Sequence, residues 1–223
     1  MRSLAPTITL VILVIVVGSL SPTFLQPNTL LLLLADTATL FVMAAGITFV
    51  VMLGGIDLSV QSVASLASVV MAVTLAQWGG FSIVFALLTG VLCGVLSGLA
   101  QTRLRIPSFI ATLAVSGIAA AAALILSGTR SIPIPPDTRE TTFSLFVGTT
   151  AGVPNEVWTG LVVLFICLVV ERFTVFGRWS IAVGAGEPAA LAAGVPVAKG
   201  KGLALFISGT PPAPARAGLG ARA

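Results

Sequence analysis

An all-α, polytopic membrane bundle is the fold this sequence predicts, and three observations lead to it. The chain of 223 residues is 57% hydrophobic and only 8% charged, with a mean hydropathy of +1.13. A water-soluble domain carries about 25% charged residues, because its surface must be solvated. The apolar residues come in runs close to the ~20 that a helix needs to cross hydrocarbon. The alternating pattern of a spanning strand is missing, and in lipid a helix satisfies every backbone polar group internally. The bilayer is therefore the solvent for most of this protein.

Six runs follow one another, with the start of a seventh. Pro6 to Phe24 comes first, after Arg2, and its Val17-Gly18-Ser19 has the outline of a weak signal-peptide cleavage site. Retained first helices share that outline, and the remainder of the chain is equally apolar, so it reads as a span. Leu30 to Leu53, Leu58 to Ala76, Phe81 to Ala100, Pro107 to Ser127 and Val157 to Phe173 complete the six. Leu203 to Ser208 begins well and then stops. Residues 1–209 thus read as one transmembrane domain, with a cytoplasmic loop at about 172–201. Residues 210–223, TPPAPARAGLGARA, read as a disordered tail that cannot span a membrane.

Charge orients the bundle. With the amino terminus inside, the cytoplasmic segments hold Arg2, Arg103, Arg105, Arg172, Arg178, Lys199 and Lys201; the outer ones hold only Arg130 and Arg139, the tail's Arg216 and Arg222 being set aside. Positive residues favour the cytoplasmic side. The basic residues are scattered singly between apolar runs, so the net charge of +4 points to topology and not to nucleic acid. The long outer connector, Gly128 to Glu156, carries Pro133, Pro135 and Pro136 and is too broken to be a span.

Composition also excludes classes of chemistry. Histidine is absent, which removes the commonest metal ligand and the commonest general base. Cys93 and Cys167 each sit inside an apolar run, as buried inert thiols do. No catalytic set, metal site or cofactor is expected, because an intramembrane enzyme needs a nucleophile–base pair or a metal set on facing helices. ATP must be bound elsewhere: the nearest approach to a G-x-x-x-x-G-K-[ST] loop, at Gly200-Lys201, has Val195 at the first position and Gly202 at the last.

Four features remain as candidates. GGIDLS, residues 54–59, separates two long apolar runs. One reading is a tight turn, with Gly54 and Gly55 as permissive backbone and Asp57 or Ser59 capping the next helix. The other is a helix break inside the membrane, its freed backbone groups lining a cavity. Asp36, within LLLLLADTATLF, either sits near the outer interface or faces a solute path. Gly90, Gly94 and Gly98 share one helix face and should admit a close helix–helix contact. In FGRWSIAVGAGEPAALAAG, Glu187 and Pro188 suit a helix start and Gly194 its stop. The short helix between them is either a connector on the membrane face or a knob with a small-residue surface for a cytoplasmic partner.

Three of these segments carry a family likeness. GITFVVMLGGIDLSVQSVASLASVV, RLRIPSFIATLAVSGIA and FGRWSIAVGAGEPAALAAGV, in that order, closely resemble the permease subunits of bacterial ABC importers of the ribose and xylose type. The resemblance runs from about the first span to Gly209. It implies a multi-pass protein of the bacterial inner membrane, paired with a second permease copy, served by a cytoplasmic ATP-binding subunit and an extracytoplasmic sugar-binding protein. By the same resemblance, Gly177, Arg178, Gly186, Glu187, Ala190 and Gly194 belong to the loop that touches the ATPase. GGIDLS is similar to the family's hallmark between the second and third spans. The sequence departs from the pattern at Gln61, where the family has glycine, and at Gly186-Glu187, where it has Asn-Glu. Family members also continue with further spans where GLALFISG here gives way to the tail, so the resemblance implies a carboxy-terminally truncated permease. An ion-coupled secondary transporter, with Asp36 or Asp57 carrying a proton, and a non-transporting membrane remnant are the competing readings.

Overall fold

The computed structural model of the chain describes residues 5–134, 143 and 148–209. The expected tail and part of the long connector, including Asp137, Arg139 and Glu140, lie outside the described residues. The elements are α1 (Ala5–Leu20), a 3-10 turn (Pro22–Leu25), α2 (Pro27–Met52), α3 (Val60–Trp78), α4 (Ser82–Arg103) and α5 (Ser108–Ser127). A hairpin of β1 (Thr149–Thr150) and β2 (Val153–Pro154) follows, then α6 (Asn155–Phe173), α7 (Val175–Ala185), α8 (Glu187–Ala192) and α9 (Val197–Gly209).

The fold is an all-α membrane-type bundle, and each apolar run of the sequence meets a helix. Among the described residues, three stretches are long and apolar enough to cross a membrane: Pro27–Met52, Val60–Arg103 and Ser108–Ser127. A fourth qualifies when α6 and α7, bent by 73° at their junction, count together. Six complete spans are not reached by this measure. Helix α1 has 16 residues, about 24 Å at 1.5 Å per residue, against a hydrocarbon core of about 30 Å. The stretch Val60–Arg103 is not one rod, since 44 residues would extend about 66 Å. It folds back at Gly79, whose φ of +49° an L side chain rarely adopts, and α3 then packs along α4. Trp78 meets Phe85 edge-on across this corner, ring centroids 5.4 Å apart.

Small residues let the helices approach, as membrane interfaces require. Val63, Leu66, Cys93, Val115, Ala119 and Ala123 join α3, α4 and α5. Phe49, Val50, Leu53, Phe176, Val183, Ala190, Val197, Ala204 and Leu205 join α2 to α7, α8 and α9. A third cluster, Ala67, Met71, Leu75 and Ala86, closes over Phe143, which is 1% exposed. Phe143 of the long connector thus sits in the α3–α4 groove, with Ile134 packed beside it, which the connector's polar composition did not suggest. The β hairpin turns through Ala151 (φ 55°) and Gly152 (φ 76°), the positive pair of a type I′ turn. Helix α1 has no buried residue and packs on the turn that follows it.

Short connections make α2, α3, α4 and α5 alternate in direction. One end of the bundle therefore gathers the last residues of α2, α4 and α6 with the first of α3, α5 and α9. Arg103, Arg105, Arg172, Arg178, Lys199 and Lys201 all belong to this end, and Arg130 follows α5 at the other.

Candidate functional site

Residues 54–59 form a break in which five of the six backbone N–H groups have an acceptor. Helix α2 stops in a Schellman motif: Gly54 (φ 72°) donates to the Val51 carbonyl at 2.9 Å, and Gly55 to the Val50 carbonyl at 2.9 Å. The chain then runs extended along the start of α5. Ser108 Oγ accepts from the Ile56 N–H at 2.9 Å. Thr112 Oγ1 accepts from the Leu58 N–H at 3.1 Å and has the Ile56 carbonyl at 3.4 Å to receive its own proton. A turn later, Ser116 Oγ shares a 2.8 Å hydrogen bond with Ser62 Oγ of α3. The hydroxyls of Ser108 and Thr112 thus stand in for hydrogen bonds that the break removes from the helix ladder, and Ser116, four residues on along the same face of α5, adds a side-chain tie to α3. Sequence reasoning missed them, although the S-x3-T-x3-S spacing in SFIATLAVS was visible.

Asp57 ties this break to a distant element. Its Oδ1 accepts from the Ser59 N–H at 2.8 Å and the Ser59 hydroxyl at 2.7 Å, while Oδ2 accepts from Ser208 Oγ of α9 at 2.7 Å. Ser208 is buried. Ser59 occupies the N-cap position of α3 but makes no side-chain cap, because its hydroxyl points to Asp57. Asp57 also lines a cleft of about 470 Å³ with Leu58, Val60 and Gln61, opposite Leu40, Met43, Ala44 and Ile47 of α2. Asp36 is not part of this arrangement. It lies 16 residues before the end of α2, about 24 Å along the axis, beside a buried Ala35.

The glycines of α4 face α9. A β-carbon at Gly94 would stand 2.7 Å from the Leu205 carbonyl oxygen, and one at Gly98 would stand 3.2 Å from that of Gly202. One at Gly209 would overlap the Gly90 carbonyl oxygen. The two helices run antiparallel with backbones in contact, and this contact sets Ser208 opposite Asp57.

The segment after α6 is more ordered than a loop. Thr174 ends α6 and caps α7, its hydroxyl donating to the Val170 carbonyl at 2.5 Å and accepting from the Gly177 N–H at 3.2 Å. Gly177 makes the bend possible, since a β-carbon there would overlap the Glu171 backbone. Arg178 is exposed, Gly186 separates α7 from α8, and Glu187 begins α8 with its carboxylate 2.8 Å from Lys201 Nζ of α9. Gly194 (φ 79°) and Val195 close α8 in a second Schellman motif, onto the Leu191 and Ala190 carbonyls. The expected small-residue knob needs a correction at Ala190, which is 4% exposed and turned into the cluster of Phe49, Phe176 and Val197. The outward side of α8 is Ala189, Leu191 and Ala192. A helix this short has one face for its own protein, and periodicity over six residues did not say which.

Comparison with known proteins gives a family and relatives. A family model described as branched-chain amino acid transport system / permease component matches residues 29–215. The chain is 34% identical over 214 residues to the ribose import permease protein of Bacillus subtilis strain 168, covering 94% of this chain and 65% of that one. It is 33% identical over 203 residues to the fructose import permease protein of Rhizobium meliloti, covering 87% and 56%. It is also 33% identical over 180 residues to the L-arabinose ABC transporter permease protein of Azospirillum brasilense, covering 79% and 52%. The chain thus spans between 52% and 65% of the length of these relatives. No solved structure matches it.

Proposed function

Because the chain belongs to the family of branched-chain amino acid transport system permease components, we propose that it is the membrane permease subunit of an ATP-driven sugar importer. The observation that carries this is its similarity, over most of its length, to relatives named for importing ribose, fructose and L-arabinose. The solute is then a monosaccharide or close analogue. The chain is not itself an enzyme; ATP hydrolysis belongs to a cytoplasmic ATP-binding subunit, and solute arrives on an extracytoplasmic sugar-binding protein. A second permease copy completes the path.

Helices α1 to α6 are six spans in the bacterial inner membrane with the amino terminus inside, and α9 starts a seventh. The gathering of basic residues at one bundle end supports this orientation. The translocation path runs by the break, with Gly54, Gly55, Asp57 and Ser59 shaping it and Asp36 nearer its outer mouth. An extended segment docked on side-chain hydroxyls, beside a cleft, is the kind of irregular backbone that membranes tolerate where it lines a passage. Residues 172–201, with α7 and α8 laid across the end of the bundle, form the ATPase-coupling segment.

Reconstitution tests the proposal. Proteoliposomes holding the chain with its ATP-binding subunit, supplied with the sugar-binding protein, should accumulate labelled pentose only when ATP is present on the ATPase side. Uptake driven by an ion gradient without ATP would instead make this a secondary transporter. Absence of uptake under both conditions would favour a non-transporting membrane protein.

A further inference from the structure

We propose that a basic cleft between the α4–α5 connection and the α8–α9 corner is a docking socket for the ATP-binding partner, receiving an acidic segment of it against Arg105. The inference rests on the permease reading above and adds to the coupling segment, which forms one wall of the cleft, a contact from Arg105 on the other wall, outside that segment.

The cleft measures about 430 Å³ and is lined by Arg105, Ile106, Pro107, Glu187, Leu191 and Lys201, among others. Its walls come from two remote pieces of sequence, which the fold brings together at the bundle end rich in basic residues. Among the described residues that line it the single carboxylate, Glu187, is already paired to Lys201 at 2.8 Å. Among the described residues the Arg105 guanidinium has no hydrogen bond or ion pair. Arg105 also has a φ of 56°, a conformation that L side chains rarely adopt, at the sharp turn from α4 to α5. Arg103 and Lys199, both exposed, flank the site in sequence. The free charge of the cleft is therefore positive, and a carboxylate is its complement.

The rest of the lining separates a protein segment from a lipid headgroup. Leu191 is 56% exposed on the outward side of α8 and forms an apolar wall with Ile106 and Pro107. A headgroup phosphate needs only a basic rim. A concave site with both an apolar wall and an unpaired guanidinium fits a segment bearing apolar and acidic side chains.

Co-purification of the ATP-binding subunit with the full chain from detergent tests the socket. Arg105→Glu should lower recovery about tenfold, the effect of setting like charges together at an interface, while Arg105→Lys should retain most of it. Arg105→Gly suits the positive φ, so it removes the side chain without disturbing the turn, and it too should lower recovery. Ala192→Glu, on the outward side of α8 but outside the cleft, reports docking at α8 alone. Full recovery with Arg105→Glu and Arg105→Gly, while Ala192→Glu releases the partner, would overturn the socket and leave the coupling segment standing. No recovery even with the unaltered chain would overturn both. Unchanged recovery, with a lost requirement for phosphatidylglycerol in ATP hydrolysis by proteoliposomes, would assign the cleft to lipid and also overturn the socket.

Discussion

At Asp57 two carboxylate oxygens serve two different elements: Oδ1 closes the local turn onto Ser59, and Oδ2 reaches α9 through Ser208. A carboxylate is suited to this because both oxygens accept and neither needs a donor's geometry. Hydrogen bonds to such a group contribute about 1.5–3 kcal/mol when removal strands the partner in a buried place. Ser208→Ala and Asp57→Ala are therefore each expected to lower the stability of the detergent-solubilised protein by about 1–3 kcal/mol. Together they should cost less than their sum by about 1 kcal/mol, since each removes the same bond. A heating series followed by size-exclusion recovery measures the midpoints, and strict additivity would mean that the Asp57–Ser208 contact contributes nothing.

Between elements, the α4–α9 contact is backbone on backbone, and glycines are its reason. Gly94→Ala places a methyl 2.7 Å from a carbonyl oxygen that belongs to a helix and cannot swing away. The helices must separate, and a loss of about 1–3 kcal/mol is expected, as for overpacked cores. Gly117→Ala on α5 is the matched control, because a β-carbon there meets nothing within 4 Å. It should be neutral or stabilising by up to about 1 kcal/mol, from helix propensity alone. Equal effects in the same heating assay would show that α4 and α9 do not pack this closely. Ala190→Glu belongs to this scale too. With Ala190 buried against α2, α7 and α9, a glutamate there introduces a carboxylate without a partner and should cost several kcal/mol in folding. Loss of monodisperse protein, before any question of partner docking, is the expected result.

For the molecule as a whole, topology is the test. In a chain whose Cys93 and Cys167 are replaced by serine, single cysteines at Lys199 and Thr150 should differ. An impermeant thiol reagent applied to intact spheroplasts should label the cysteine at 150, beside the hairpin turn, and spare the one at 199. Labelling at 199 and protection at 150 would invert the bundle and move α7 and α8 to the side opposite any ATP-binding subunit. The basic residues make the expected outcome a physical one, since moving them across the membrane is the costlier insertion.

The sequence by itself determined the helical class, the position of most helices to within a few residues, and the end of the bundle at which the charges collect. Each of these follows from local quantities: apolar run length, the Lys and Arg positions, and Gly-Gly or Gly-Val stops that any helix reads in its own last turn. Gly90, Gly94 and Gly98 announced a close contact for the same reason, because a missing β-carbon on one face is a local fact. Their partner was a tertiary fact, fixed by where α9 turns back against α4. The same holds for the break at Asp57. The glycines and the aspartate were legible at 54–57, but Ser108, Thr112 and Ser208, which bond Ile56, Leu58 and Asp57, lie 52 to 151 residues away in the chain. Ala190 turned inward and Arg105 was left unpaired at a cleft for the same physical reason. Which side of a short helix is buried, and which charge lacks a partner, depends on contacts between elements, and only the folded bundle specifies those.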